Sequence, residues 1–227
     1  MRLKSLALVV LLALAPFSSL AQEAKGLGDW SVVGAQVNTG KAYEDVQVGW
    51  PNVNFGYTFS MGKSSDLGIR FGLLYGLGGT TLTQFGLGLW APIRFQLVRG
   101  SGFNMLLHVD PGVQLYFGSS TCNFYYCGTT SNTIFGFQAP VGIVGGFPVA
   151  RNVEVGFGLD LNMALNVTTP VTFVIGPWAG PYVEYHLDNP NLALGLNTRF
   201  GVAIPTSSGS SALFAFQVQA FVGYRLF

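Results

Sequence analysis

The sequence predicts an all-β fold, an antiparallel up-and-down transmembrane β-barrel of about ten strands. Three observations carry that expectation. The chain is 49% hydrophobic yet only 9% charged, where a soluble domain carries about 25% charged residues. Beyond the N-terminal segment, no apolar run approaches the roughly 20 residues a membrane helix needs. Most of the chain instead alternates apolar residues with small or polar ones at a period of two, which gives strands one apolar face.

Residues 1–21 read as a secretory signal, with Arg2 and Lys4 at its start, an apolar stretch from Leu6 to Ala15, and Ser19-Leu20-Ala21 as the cleavage site. Pro16 interrupts the stretch before it could span a bilayer. Residues 22–28 form a short linker, and 29–227 the barrel. The first strand is expected over Asp29–Val37 and the second over Val46–Met61, where Val53, Phe55, Tyr57 and Phe59 alternate with Asn52, Asn54, Gly56 and Thr58. Val46, Val48 and Trp50 sit on the opposite parity, so a bulge or a change of role is expected near Pro51.

Eight further strands follow, with outward faces running from Leu67 to Tyr75, Phe85 to Leu97, Phe103 to Phe117, Phe135 to Phe147, Val153 to Leu165, Val171 to Tyr185, Leu192 to Ile204 and Phe214 to Tyr224. The count falls to eight if Asp29–Met61 packs differently. Short polar turns at Gly62–Ser65, Arg99–Gly102, Ala150–Arg151 and Asp188–Asn191 alternate with longer loops near Asn38–Asp45, Leu77–Thr81, Gly118–Asn132, Asn166–Pro170 and Pro205–Ser211. In transmembrane barrels the short turns face the periplasm.

No charge falls on the apolar face of these eight strands. Arg70, Arg94, His108, Asp110, Glu154, Asp160, Glu184, His186, Arg199 and Arg225 all take the other parity. A lipid-facing wall demands such a split, because a charge at the bilayer midplane costs on the order of 2–4 kcal/mol. Hydrocarbon also forbids unpaired backbone groups, so the sheet must close. The charged residues then form a lumen-facing polar network, with Trp90, Tyr116, Trp178 and Tyr182 pointing the same way. Salt bridges and rings in so narrow a lumen favour a plug; the alternative is a narrow passive channel for small polar solutes.

The C-terminal Val222-Gly223-Tyr224-Arg225-Leu226-Phe227 resembles the last strand of small bacterial outer-membrane barrels, which end in an aromatic residue, and the likeness in pattern extends over Asp29 to Phe227. In that superfamily the final Phe shares the outward face with an aromatic two positions earlier. Arg225 holds that place here and Tyr224 lies one step further back, as if one residue were inserted. The resemblance implies a multi-pass protein of a Gram-negative outer membrane, recognised through Tyr224 and Phe227 by the barrel-insertion machinery. It implies contact with outer-membrane lipid and with other envelope proteins, in a structural or anchoring role.

Some members of that superfamily are enzymes with His and acidic or Ser groups near the outer rim. Here His108 is central, His186 is periplasmic and neither pairs with a Ser at a recognisable spacing, so no enzymatic activity is expected. Cys122 and Cys127 lie in the longest loop, and an exported pair so close predicts a disulfide. Phe124, Tyr125 and Tyr126 between them are a second candidate, a surface contact for a partner. With a net charge of +1 and no basic cluster, nucleic acid is excluded as a partner, and no motif calls for a cofactor or a metal.

Overall fold

The computed structural model describes residues 30–80, 83–123, 126–130, 133–167, 171–187, 191–206 and 211–226. They form fifteen strand segments: β1 (Tyr43–Trp50), β2 (Asn52–Ser60), β3 (Ser65–Gly76), β4 (Thr83–Trp90), β5 (Ile93–Arg99), β6 (Asn104–Val109), β7 (Gly112–Tyr116), β8 (Ser119–Asn123), β9 (Tyr126–Thr130), β10 (Ile134–Gln138), β11 (Val141–Ala150), β12 (Val153–Val167), β13 (Thr172–His186), β14 (Leu192–Pro205) and β15 (Leu213–Arg225). Thirteen belong to one sheet, and the pairings β10–β12 and β3–β5 join its two ends into a closed barrel. β8 and β9 form a separate hairpin in which Cys122 stands opposite Cys127.

Three staves of the wall are interrupted where a proline cannot donate a hydrogen bond: β4 runs on into β5 at Ala91–Pro92, β6 into β7 at Asp110–Pro111, and β10 into β11 at Ala139–Pro140. These staves are neighbours, and their breaks are stitched together. Ala91 donates to the Pro111 carbonyl at 2.8 Å, Asp110 to that of Pro140 at 2.9 Å, and Ala139 to that of Met163 at 2.9 Å. Counted as continuous staves, the described wall has ten strands, each antiparallel to its neighbours.

That number is the expected one, but it is reached differently. Asp29–Val37 is not a strand: the described part, from Trp30 on, has no strand pairing and lies inside the barrel. Val46–Met61 is two strands, β1 and β2, reversing at Trp50–Pro51 through a cis peptide bond. The change of parity at Pro51 follows from this reversal. Residues directly opposite in an antiparallel pair share a face, and Val48 stands opposite Val53 and Val46 opposite Phe55, so both parities point outward without a bulge.

The expected loop over Asn38–Asp45 is likewise corrected. Asn38 is buried in the lumen, Tyr43 already begins β1, and Tyr43 pairs with Arg225 at the end of β15. The first and last staves therefore meet at the end of the barrel that carries the short turns 61–64, 100–103 and 151–152, and where Leu187 N–H donates to Leu192 O at 2.9 Å. The opposite end carries the longer connections and the tight Trp50–Pro51 reversal.

The outer face keeps large apolar side chains in the open: Ile69 is 56% exposed, Leu159 58% and Phe214 58%. Single exposed hydrophobics are ordinary, but a continuous belt of them is not. The polar residues are inside, where Asp66, Glu154, Glu184 and Gln219 have no exposure at all. Phe85 lies near Phe117 with centroids 6.1 Å apart, and Phe103 near Phe147 at 4.9 Å, so rings cluster toward stave ends as interfacial aromatics do.

The plugged lumen as candidate functional site

Residues 30–39 thread into the short-turn end of the barrel outside any strand ladder, with bends over Val32–Ala35. Such a segment leaves its amides without a ladder, and each buried donor needs a partner from elsewhere. Two carboxylates supply most of them. Glu184 on β13 accepts from the backbone N–H of Val32 at 3.0 Å, Val33 at 3.2 Å and Gly34 at 3.1 Å. Glu154 on β12 accepts from Ala35 N–H at 2.9 Å, and its remaining capacity is met by Tyr182 Oη at 2.7 Å and Asn104 Nδ2 at 3.3 Å.

Further along, Val37 N–H donates to Gln96 Oε1 at 2.9 Å and Asn38 N–H to Asp66 Oδ2 at 2.7 Å. Carbonyls of the segment are held from the opposite direction. Arg94 Nη1 donates to Ser31 O and Val32 O, Gln96 Nε2 to Ala35 O, Arg99 Nη2 to Val37 O and Arg225 Nη2 to Thr39 O. Trp30 anchors the outer end, with ring centroids 5.3 Å from Tyr43 and 5.0 Å from His186.

Above this plug the charged groups pair among themselves. Arg94 grips Asp66 with two bonds, Nε to Oδ1 at 2.8 Å and Nη2 to Oδ2 at 2.6 Å, the bidentate geometry for which a guanidinium is suited. His108 lies between two carboxylates, Nδ1 to Asp110 at 3.0 Å and Nε2 to Asp160 at 2.7 Å, and Asp160 also takes Arg199 Nε at 2.7 Å. Arg70 is held most loosely, 3.7 Å from Asp45.

At the long-loop end, Leu77–Thr80 closes the notch left above the short β1–β2 hairpin. Thr80 bridges to Ala215 on β15, Trp50 Nε1 donates to Gly79 O at 3.3 Å, and Gly78 N–H reaches Tyr116 Oη at 3.4 Å. Gly79 has φ +73°, and a β-carbon there would run into the Trp178 ring. Between this roof and the plug lies a chamber of about 270 Å³ lined by amides, by Trp90, Tyr116 and Trp178, and by the paired charges.

All ten charged or histidine positions singled out in the sequence point inward. Glu184 and His186 meet at 2.9 Å. Glu154 and Asp160 do not act together; the first holds the plug and the second joins His108 to Arg199. Sequence reasoning passed over Asp66, Gln96, Asn104 and the plug itself. Asp66 follows a turn and takes inward parity, a signal that was present. The side chains of Cys122, Cys127 and Tyr126, and the whole of Phe124, Tyr125 and Phe227, lie outside the described residues, as do 1–29. Among the described residues, no group of three or more His, Cys, Asp or Glu has the arrangement to hold a metal ion.

No protein-family model matches the chain, and no curated protein matches it. Among solved structures it is similar to the outer membrane protease OmpT from Escherichia coli, at 9% identity and a TM-score of 0.41, over 82% of this chain and 93% of that one.

Proposed function

We propose that the chain is an integral protein of a bacterial outer membrane whose lumen is stoppered by its own N-terminal segment, and that it serves the envelope as a structural or anchoring component. The apolar belt supports the membrane setting. A barrel wall that exposes Leu159 and Phe214 while burying Glu154 and Glu184 is arranged for hydrocarbon outside and polar contacts within. The short turns would face the periplasm, with lipid, the insertion machinery and other envelope proteins as partners.

The observation that carries the stopper is the convergence of Val32, Val33 and Gly34 amides on Glu184. A conducting pore has no use for a backbone segment fixed across its short-turn end by two fully buried carboxylates. The reading assigns no catalysis either. Both ring nitrogens of His108 are taken by carboxylates, so the ring has no free position from which to activate a nucleophile.

Planar-bilayer recording tests the proposal. The full chain, folded in detergent and inserted into a lipid bilayer, is expected to stay silent. Reproducible single-channel steps from the unaltered protein would favour the passive-channel reading and overturn this one.

A further inference from the structure

We infer that the short-turn rim between β2 and β12 is a binding surface for anionic phospholipid, with one headgroup phosphate drawn to each of Lys63, Arg99 and Arg151. Only the membrane setting proposed above is assumed; neither the stopper nor the anchoring role enters. β2, β3, β4–β5, β6–β7, β10–β11 and β12 are six consecutive staves of the wall. Three connections join them in pairs at this end. Lys63 lies in the first, 61–64, Arg99 opens the second at the end of β5, and Arg151 lies in the third, 151–152. All three residues are exposed, and among the described residues none of them is paired with a carboxylate.

The acids on this arc near the rim are already engaged. Asp66 is gripped by Arg94 and Glu154 by the plug and Tyr182, and neither has any exposure. Arg99 does reach inward, its Nη2 donating to Val37 O at 3.1 Å, yet the residue stays exposed. The rest of the rim is mixed in sign: Lys41 is followed by the exposed Glu44, and Asp188 falls between β13 and β14 in the sequence. Beyond residue 21, the other charges outside the described residues are Glu23, Lys25 and Asp29, which precede the plug. The connections at the opposite end of the barrel, 77–82, 117–133, 168–171 and 206–212, contain no Asp, Glu, Lys or Arg. An unopposed row of cations is thus confined to one arc of one rim.

Aromatic rings set the depth of that arc. Phe59 precedes Lys63 by four residues, Phe103 follows Arg99 by four and Phe147 precedes Arg151 by four. Tyr57 lies 6.4 Å from Phe59, and Phe103 4.9 Å from Phe147. Rings in such a girdle sit at headgroup level, and long basic side chains beside them extend their charged ends toward water and phosphate. Successive cations are two staves, about 10 Å, apart along the rim, too far for one phosphate to serve two. A leaflet that surrounds the barrel meets all three, whereas a compact ligand does not. Net charge then selects the lipid. A zwitterionic headgroup brings its own cation with its phosphate; an anionic one does not, and each Lys or Arg near such a surface favours it about fivefold.

The full chain, folded in detergent micelles that hold equal amounts of phosphatidylglycerol and phosphatidylcholine, tests this by native mass spectrometry. The unaltered protein is expected to retain up to three phosphatidylglycerol molecules, with about a fivefold preference over phosphatidylcholine. Lys63→Gln combined with Arg151→Gln should retain only one, and Lys41→Gln, next to Glu44, as many as the unaltered protein. Arg99 is left in place because it also holds the plug. Folding of each variant is shown by its heat-modifiable migration on a gel; if the double variant does not fold, Arg151→Gln alone, expected to lose one lipid, decides. Equal retention of the two lipids by the unaltered protein would overturn the inference, as would a loss in Lys41→Gln equal to that in the double variant. Undiminished retention in the folded double variant would also overturn it, and if that variant had lost co-sedimentation with purified peptidoglycan, the arc would belong to the cell wall. Failure to enter phosphatidylcholine vesicles would sink the membrane setting itself, so the two readings fail distinguishably.

Discussion

Replacing Glu184 by Ala removes the acceptor that three consecutive plug amides share, at 3.0, 3.2 and 3.1 Å. Hydrogen bonds to a charged group contribute about 1.5–3 kcal/mol each, so the three together amount to roughly 5–9 kcal/mol. Two effects reduce that figure. Glu154 stands directly opposite Glu184 across the β12–β13 ladder, and removing one of two facing like charges relieves repulsion. A released segment can also hydrate its amides. A net weakening of about 3–5 kcal/mol remains, or a shift of roughly two to four decades in the occupancy of the detached state.

Ala35 keeps its bonds to Glu154 and Gln96, and residues 37–39 keep theirs to Gln96, Asp66 and Arg225, so only the stretch around Val32–Gly34 is expected to come free. Thermolysin, which cuts before aliphatic residues, reads this directly in a barrel that is otherwise protected. Where local opening is fast, cleavage follows the open population. Glu184→Ala should be cut at Val32 or Val33 more than about a hundredfold faster than the unaltered protein, with Glu184→Gln in between because its amide keeps one acceptor oxygen. Wild-type cleavage rates in a folded Glu184→Ala barrel would refute the argument that these carboxylate contacts hold the plug.

Arg94→Met leaves Asp66, which has no exposure, without its guanidinium. Breaking a buried pair costs about 3–5 kcal/mol, so the midpoint of the heat-modifiable transition should fall, and Arg94→Met with Asp66→Leu should recover part of the loss; an unchanged midpoint in the single variant would show the pair to be incidental. At the roof, Gly79→Ala combines a left-handed φ of +73° with a collision against Trp178, whereas Gly78 has φ +55° with nothing within 4 Å. Gly79→Ala should therefore destabilise the barrel by clearly more than the roughly 1–2 kcal/mol of the conformation alone, and Gly78→Ala by about that amount, as read by thermal unfolding monitored through tryptophan emission. Equal effects would mean that the roof does not press on the ring.

The outward faces were legible because hydrocarbon tolerates so little. One charge on Leu159's face of β12 would be expensive, so the period-two signal is clean over every stave from β3 to β15 and the closure follows from it. The chain's start was not legible in the same way. Trp30, Val32, Val33, Ala35 and Val37 are apolar on both parities, and all but the half-buried Val33 are fully buried. A lipid-facing strand would show one clean face. A segment wrapped on every side by protein need not, and this loss of alternation is what separated 30–37 from the staves. The hairpin at Pro51 was hidden for a different reason: a reversal with an odd register offset and a bulge shift parity alike, and only the pairing of Val48 with Val53 distinguishes them.

The plug itself could have been anticipated from register. Once β12 and β13 are paired, Glu154 and Glu184 face each other across the ladder and both point inward, with no exposure. Two carboxylates so placed repel each other, and a barrel wall alone offers them few donors. An arginine between them would cancel the charge of one and would compete with Arg94 and Arg225 for space in the narrow end. A run of backbone amides answers both needs, because successive N–H groups converge on an anion without adding a side chain. Residues 32–35 supply four of them. The acids and the segment are thus complementary: without the plug Glu154 keeps only Tyr182 and Asn104 and Glu184 only His186, and without the glutamates the amides of residues 32–35 lose the acceptors they have.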